Sequence, residues 1–96
     1  MNILVLREKY RDQILKIADK HKAENVRVFG SVVRGEERKD SDIDLLVHFK
    51  SGASLLDEVG LEIDLKELLG CEVDLISDRA VRNEFKSFIF NEAKAL

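Results

Sequence analysis

Residues 29–47 read FGSVVRGEERKDSDIDLLV: a glycine and a serine, ten further residues, then two aspartates one residue apart inside an apolar run. The segment DIDLLVHF at 42–49 alternates as an extended chain does, because successive side chains of a strand point to opposite faces. Ile43, Leu45 and Val47 share one face; Asp42, Asp44, Leu46 and His48 share the other. Two carboxylates held that close repel each other. The repulsion raises a pKa and weakens the strand unless a cation relieves it.

Working outward, VRVFG at 26–30 alternates Val26 and Val28 against Arg27 and Phe29 and stops at Gly30, a short strand feeding a turn. Residues 31–41 read as one helical turn after Ser31 and then a polar loop containing Gly35. Downstream, residues 50–53 make a turn at Gly52, and a helix runs from a Ser54 cap to Gly70, a glycine suited to ending it. Gly60 inside that helix costs about 1 kcal/mol relative to alanine and predicts a kink or break. CEVDLIS at 71–77 is a third strand, with Val73 and Leu75 opposite Glu72, Asp74 and Ile76. Two further helices follow from apolar stripes: Leu6, Tyr10, Ile14, Ile17 and Ala18 over residues 6–21, and Val81, Phe85, Phe88 and Ile89 from residue 81 to the end. Phe90 falls off the second stripe, and its exposure would mark a partner surface.

The element order αβ(short α)βαβα predicts an α/β (α+β) fold, a small mixed sheet with helices packed on one face. They cover the face made by Val28 or Phe29, Ile43, Leu45, Val47, Val73 and Leu75. Ninety-six residues supply one domain, 1–96, with no repeat, linker or low-complexity segment.

The composition, 45% hydrophobic and 36% charged without proline, is that of a folded globular chain. A net charge of -3 disfavours nucleic acid as the main partner. Cys71, the lone cysteine, makes no internal disulfide and fits a reducing compartment. No apolar run is long enough to span a bilayer, and the opening MNILVLREKYRD turns charged too soon for a signal peptide. The expected location is the cytoplasm.

The chemistry lies on the second face of the strands. Asp74 is in phase with the acids of 42–49, so if the two strands are neighbours a third carboxylate joins Asp42 and Asp44. Three convergent carboxylates suit a two-metal site, and Mg²⁺ takes oxygen ligands while leaving positions for phosphates. Gly30 brings backbone close to an anion and Ser31 adds a hydroxyl. Arg34, Arg38 and Lys39 are cations within reach of a triphosphate. A lone D-x-D also describes any half-exposed strand, so the weight rests on the combination. Arg34 also reads as a surface or structural ion-pair residue, and Ser31 as a helix cap, a role compatible with phosphate binding. His48 reads as a plain edge residue, His21 as a helix C-terminal charge, and Cys71 as a small core hydrophobe.

These residues, Gly30 and Ser31, then Asp42-Ile43-Asp44, then EVDLI with Asp74, resemble the minimal nucleotidyltransferase (MNT) family of the DNA polymerase beta superfamily. The resemblance covers most of the chain. It implies that Asp42, Asp44 and Asp74 are the catalytic acids and ligands of two Mg²⁺ ions, with Asp74 helping to activate the attacking hydroxyl. It further implies that Gly30, Ser31 and Arg34 bind the nucleotide, ATP. Members of this size resemble antitoxins paired with a HEPN-domain ribonuclease toxin, some of which transfer AMP to a tyrosine of that toxin. Two other readings stand beside this one: an antitoxin that neutralises its partner by contact alone, and a free-standing transferase for a small molecule, which would lack its substrate domain. The apolar stripes admit a homo-oligomer or a complex without choosing.

Overall fold

The computed structural model describes residues 1–36 and 42–96; Arg38 and Lys39 lie outside the described residues. The strand read at 42–49 is β2, Ile43–Phe49. Its odd-numbered residues Ile43, Leu45 and Val47 are at most 1% exposed. The other strands are β1 (Ala23–Phe29), β3 (Val73–Ser77) and β4 (Lys94–Ala95), and the sheet order is β3-β2-β1-β4. β1 pairs antiparallel with β2 and with β4, while β2 and β3 are parallel. A parallel pair needs a crossover, and the helix α4 (Leu55–Leu69) supplies it.

The remaining helices are a short turn α1 (Ile3–Val5), continued by a π-helical turn over Leu6–Tyr10, then α2 (Arg11–Lys20), the single turn α3 (Ser31–Arg34) and α5 (Asn83–Glu92). The expected helical layer on one face is present. Leu6, Ile14 and Ala18 from the first helical segment, and Leu61, Leu65 and Leu69 from α4, close over Val28, Ile43, Leu45, Val47 and Val73. Fully burying side chains such as Leu61 and Leu65 contributes about 1.5–3 kcal/mol each. Of the alternatives Val28 and Phe29, Val28 faces this core. Phe29 joins Leu46 and Val81 in a smaller cluster on the other face, with Ile76, Ile89 and Ala93 packed against it. α5 therefore adds partial cover to the second face. No helix among the described residues is long and apolar enough to cross a membrane.

Three local expectations need correction. β1 starts at Ala23, not Val26, because its register shifts between Glu24 and Arg27 with Asn25 at φ 51, and this bulge breaks the alternation a sequence reader looks for. The last helix ends at Glu92 and is followed by β4, after which the Leu96 N–H donates to the Val26 carbonyl at 3.1 Å. On α5 the expected buried stripe is half wrong: Phe85 is 50% and Phe88 61% exposed, and Val81, Ile89 and Ala93 make the contacts. Phe90, 39% exposed, lies under the Arg27 guanidinium at 5.3 Å from the ring centroid.

α4 carries the expected ends, with a capping box between Ser54 and Asp57 and a left-handed Gly70 after its last turn. It does not break at Gly60. The glycine instead makes room for His21, whose Cε1 would be 2.6 Å from a Cβ at that position. His21 Nε2 is 2.7 Å from Asp64 Oδ2, which fixes the ring in the notch. The bond depresses the Asp64 pKa.

Helix propensity alone would make Gly60→Ala stabilising by about 1 kcal/mol. The pinned imidazole reverses the sign, and we expect a loss of about 1–2 kcal/mol from overpacking. Adding His21→Ala should recover most of that loss, as chemical denaturation of the single and double variants will measure.

Candidate active site

The acids come together through strand register. In the parallel pair, Asp44 is the direct partner of Asp74 and Ile43 of Val73. The Ile43 N–H donates to the Glu72 carbonyl at 3.0 Å, which locks that register at the entry to both strands. Adjacent strands lie about 4.8 Å apart, so two carboxylates on the same face at matched positions are in contact range. Asp42, two residues before Asp44, projects to the same side and is exposed, as is Asp74, whereas Asp44 is half-buried.

Burial, in the first place, and then the neighbouring charge of Asp74 push the Asp44 pKa up from 3.8 to about 6. A hydrogen bond with Asp74 and the charge of Asp42 act in the same direction, and Arg34 opposes them. A carboxyl that shares a proton with a second carboxylate is a position where a cation can take the proton's place. The donors are all hard oxygens, the set that Mg²⁺ prefers. Among the described residues the acids do not close around one point; Asp44 and Asp74 lean on each other, with Asp42 beside them. The residues present thus fit a divalent cation by donor type and by their shared excess of negative charge.

The antiparallel register of β1 and β2 brings in the second part. Phe29 pairs with Asp44, so the next residue, Gly30, turns directly over the aspartate. Gly30 has φ 78 and ψ -153, a conformation open to glycine, and a Cβ there would collide with Asp44 Oδ2. Both the backbone and the space call for glycine. Ser31 then opens α3, where the Val33 and Arg34 N–H groups donate to the Gly30 carbonyl at 3.1 and 3.2 Å. Gly35, at φ 73, ends the turn.

Arg34 reaches toward the acids closely enough to lower the Asp44 pKa, but its hydrogen bonds are elsewhere. Nε donates to Glu36 Oε2 at 3.1 Å and Nη1 to both Glu92 oxygens at 2.9 Å. These two carboxylates, Glu36 first, raise its pKa and keep it charged. The ion-pair reading of Arg34 is therefore realised. Glu92 also accepts the Gly30 N–H. Sequence reasoning missed Glu92, because it is 62 residues from Gly30 and no local pattern marks it.

His48, read as an edge residue, is on the internal strand β2. Its Nδ1 is 3.0 Å from Asp78 Oδ2, and Arg27 Nη2 approaches the same oxygen at 3.4 Å. This cluster is further along the strand from the three acids. His21 is the residue that ends α2, as expected, and Cys71 packs partly buried against the main core with its pKa raised by that burial.

The nucleotidyltransferase domain family model matches residues 11–96. A candidate protein adenylyltransferase of Methanocaldococcus jannaschii, MJ0435, is 42% identical over 97% of this chain and 96% of its own length. The solved structure of a candidate minimal nucleotidyltransferase superposes with a TM-score of 0.86 at 44% identity, covering all of this chain and 97% of the other. One chain of a complex between a tri-AMPylated HEPN toxin of Shewanella oneidensis and an MNT antitoxin shares the fold at a TM-score of 0.65 and 21% identity, covering 88% of this chain and 66% of that one. The chain belongs to the nucleotidyltransferase domain family, and it is a nucleotidyltransferase.

A carboxyl with a raised folded-state pKa binds its proton more tightly folded than unfolded. Its ionisation therefore lowers stability above the unfolded value, increasingly as pH rises from about 4 through about 6. We expect metal-free Asp44→Asn to be more stable than wild type at neutral pH, on the order of 1 kcal/mol after solvent screening, with the gain vanishing near pH 4. Thermal melts across pH will show it. Gly30→Ala should do the reverse and lose about 1–3 kcal/mol, from strain and the collision with Asp44.

Proposed function

We propose that this nucleotidyltransferase moves AMP from ATP to a protein partner, the tyrosine hydroxyl of a HEPN-domain ribonuclease toxin, and so acts as its antitoxin. The observation that carries the reading is the Asp44 carboxyl, held against Asp74 by strand register and pushed up to about 6 beneath the Gly30 turn. Nothing in the fold requires that repulsion; the binding of cations does. The M. jannaschii relative supports protein as the acceptor, and the S. oneidensis complex supports a HEPN toxin.

In this reading Asp42, Asp44 and Asp74 hold two Mg²⁺ ions, which when bound neutralise phosphate charge and polarise the attacking oxygen. Gly30, lacking a side chain, lets the triphosphate approach the backbone, and the Ser31 hydroxyl donates to it. Arg34 adds positive charge at the same end. The tyrosine oxygen bonds to the α-phosphorus in line with the breaking bond to the bridging oxygen of pyrophosphate. The phenolic proton passes to Asp74 and pyrophosphate leaves. Catalysis rests on positioning and charge stabilisation, since phosphoryl-type transfer asks little covalent chemistry of the protein. The dependence on ATP and the free thiol of Cys71 fit a cytoplasmic setting.

A binding-only antitoxin is the second reading, favoured by the exposed Phe85 and Phe88, which offer an apolar contact surface without chemistry. One experiment separates the two. With α-labelled ATP, Mg²⁺ and a HEPN toxin, wild type should label the toxin. Asp42→Asn and Asp44→Asn should each lower the rate on the order of 100-fold or more, and chelation of the metal should abolish it. If the double variant still silences the toxin and wild type transfers no label, the binding-only reading replaces this one.

A further inference from the structure

Glu92 is the last residue of α5, and its position follows from how that helix docks. α5 docks through Ile89 and Ala93 onto Phe29, Leu46 and Val81. The Ala93 N–H donates to the Ile89 carbonyl at 2.9 Å, which caps the final turn. That docking delivers the Glu92 side chain, 11% exposed, to the back of the Gly30 turn. There one carboxylate accepts the Gly30 N–H and two contacts from Arg34 Nη1 at 2.9 Å. Two separate parts of the candidate phosphate end are tied to a single group.

The consequence for each part is different. Gly30 is in a region of backbone space where it has many neighbouring options, so an ionised acceptor on its N–H selects one of them. The arginine would otherwise sweep a long flexible stem. With Nη1 on Glu92 and Nε on Glu36, the plane of the guanidinium is fixed. We propose that Glu92 is a positioning residue for the transfer reaction, clamping the Gly30 amide and the Arg34 guanidinium so that Ser31 and Arg34 meet the triphosphate preorganised. This rests on reading Gly30, Ser31 and Arg34 as the phosphate end. The opposite role, a resident anion that competes with the triphosphate, would require the side chain to leave a nearly buried place where it accepts three hydrogen bonds.

The two roles differ in sign. Glu92→Gln keeps the shape and an oxygen for the Gly30 amide but removes the charge from Arg34; Glu92→Ala removes both. With the full chain and the HEPN toxin as acceptor, Glu92→Gln should raise KM for ATP about 10-fold, a loss typical of removing a group that orients a binding residue. The KM for the toxin should stay unchanged, and the melting temperature should stay near wild type. Titration with a non-hydrolysable ATP analogue should weaken in parallel. In an Arg34→Ala background the same substitution should add little, because its target is gone. Tighter or unchanged nucleotide binding by a folded Glu92→Gln overturns the proposal. If Glu92→Ala fails to fold, the Gln variant alone decides. Should Ser31→Ala and Arg34→Ala leave ATP affinity intact, the phosphate-end reading itself fails, an outcome distinct from any behaviour of Glu92.

Discussion

The parallel pairing of β2 with β3 puts Asp44 beside Asp74, and the rest of the architecture accommodates that one unfavourable neighbourhood. Like charges at matched positions of adjacent strands push the strands apart. Here the push is resisted from the other face, where Ile43, Leu45, Val47 and Val73 are sealed under α2 and α4. Hydrophobic burial, non-directional and distributed over many side chains, is a suitable force to hold a directional repulsion in place. Arg34 eases the charge without touching it directly, since its own hydrogen bonds are made to Glu36 and Glu92.

The same division explains why the turn after β1 is as tight as it is. β1 and β2 are in register through Phe29 and Asp44, so the residue that leaves β1 passes directly over a carboxylate. Only a residue without a Cβ passes. The site is therefore assembled by two registers meeting at Asp44, one parallel and one antiparallel.

Much of this is legible in the sequence itself. The period-2 alternation of 42–49 and of 71–77 is strong because each strand has one buried and one mostly polar face, and parity alone assigns Asp42, Asp44 and Asp74 to a common side. α4 was legible for the same kind of reason, with Ser54 and Gly70 as local signals that physical chemistry attaches to helix ends. What could not be read is what depends on distant partners. Gly60 reads as a helix defect because nothing local marks His21 as the side chain that fills its notch. The bulge at Asn25 concealed the start of β1. The apolar pattern of α5 fits two different rotations, and the docking of Ile89 and Ala93 chose the one that leaves Phe85 and Phe88 outside. Lys94 and Ala95 are too few to show any period, and Glu92 acquires its importance only from contacts made across the sheet.

The parity of β2 also bears on how such a protein can change over generations. Its odd-numbered residues hold the sheet down, while Asp44, with Asp42 just before the strand, faces the other way and Leu46 seats α5. Within the buried set one aliphatic can replace another of similar volume. A single inserted or deleted residue, however, would exchange the two sets wholesale, placing carboxylates in the main core and aliphatics on the acidic face. β2 thus tolerates exchange among its aliphatics more readily than a change of length, and lineages of this fold should accumulate their insertions and deletions in the connections between strands.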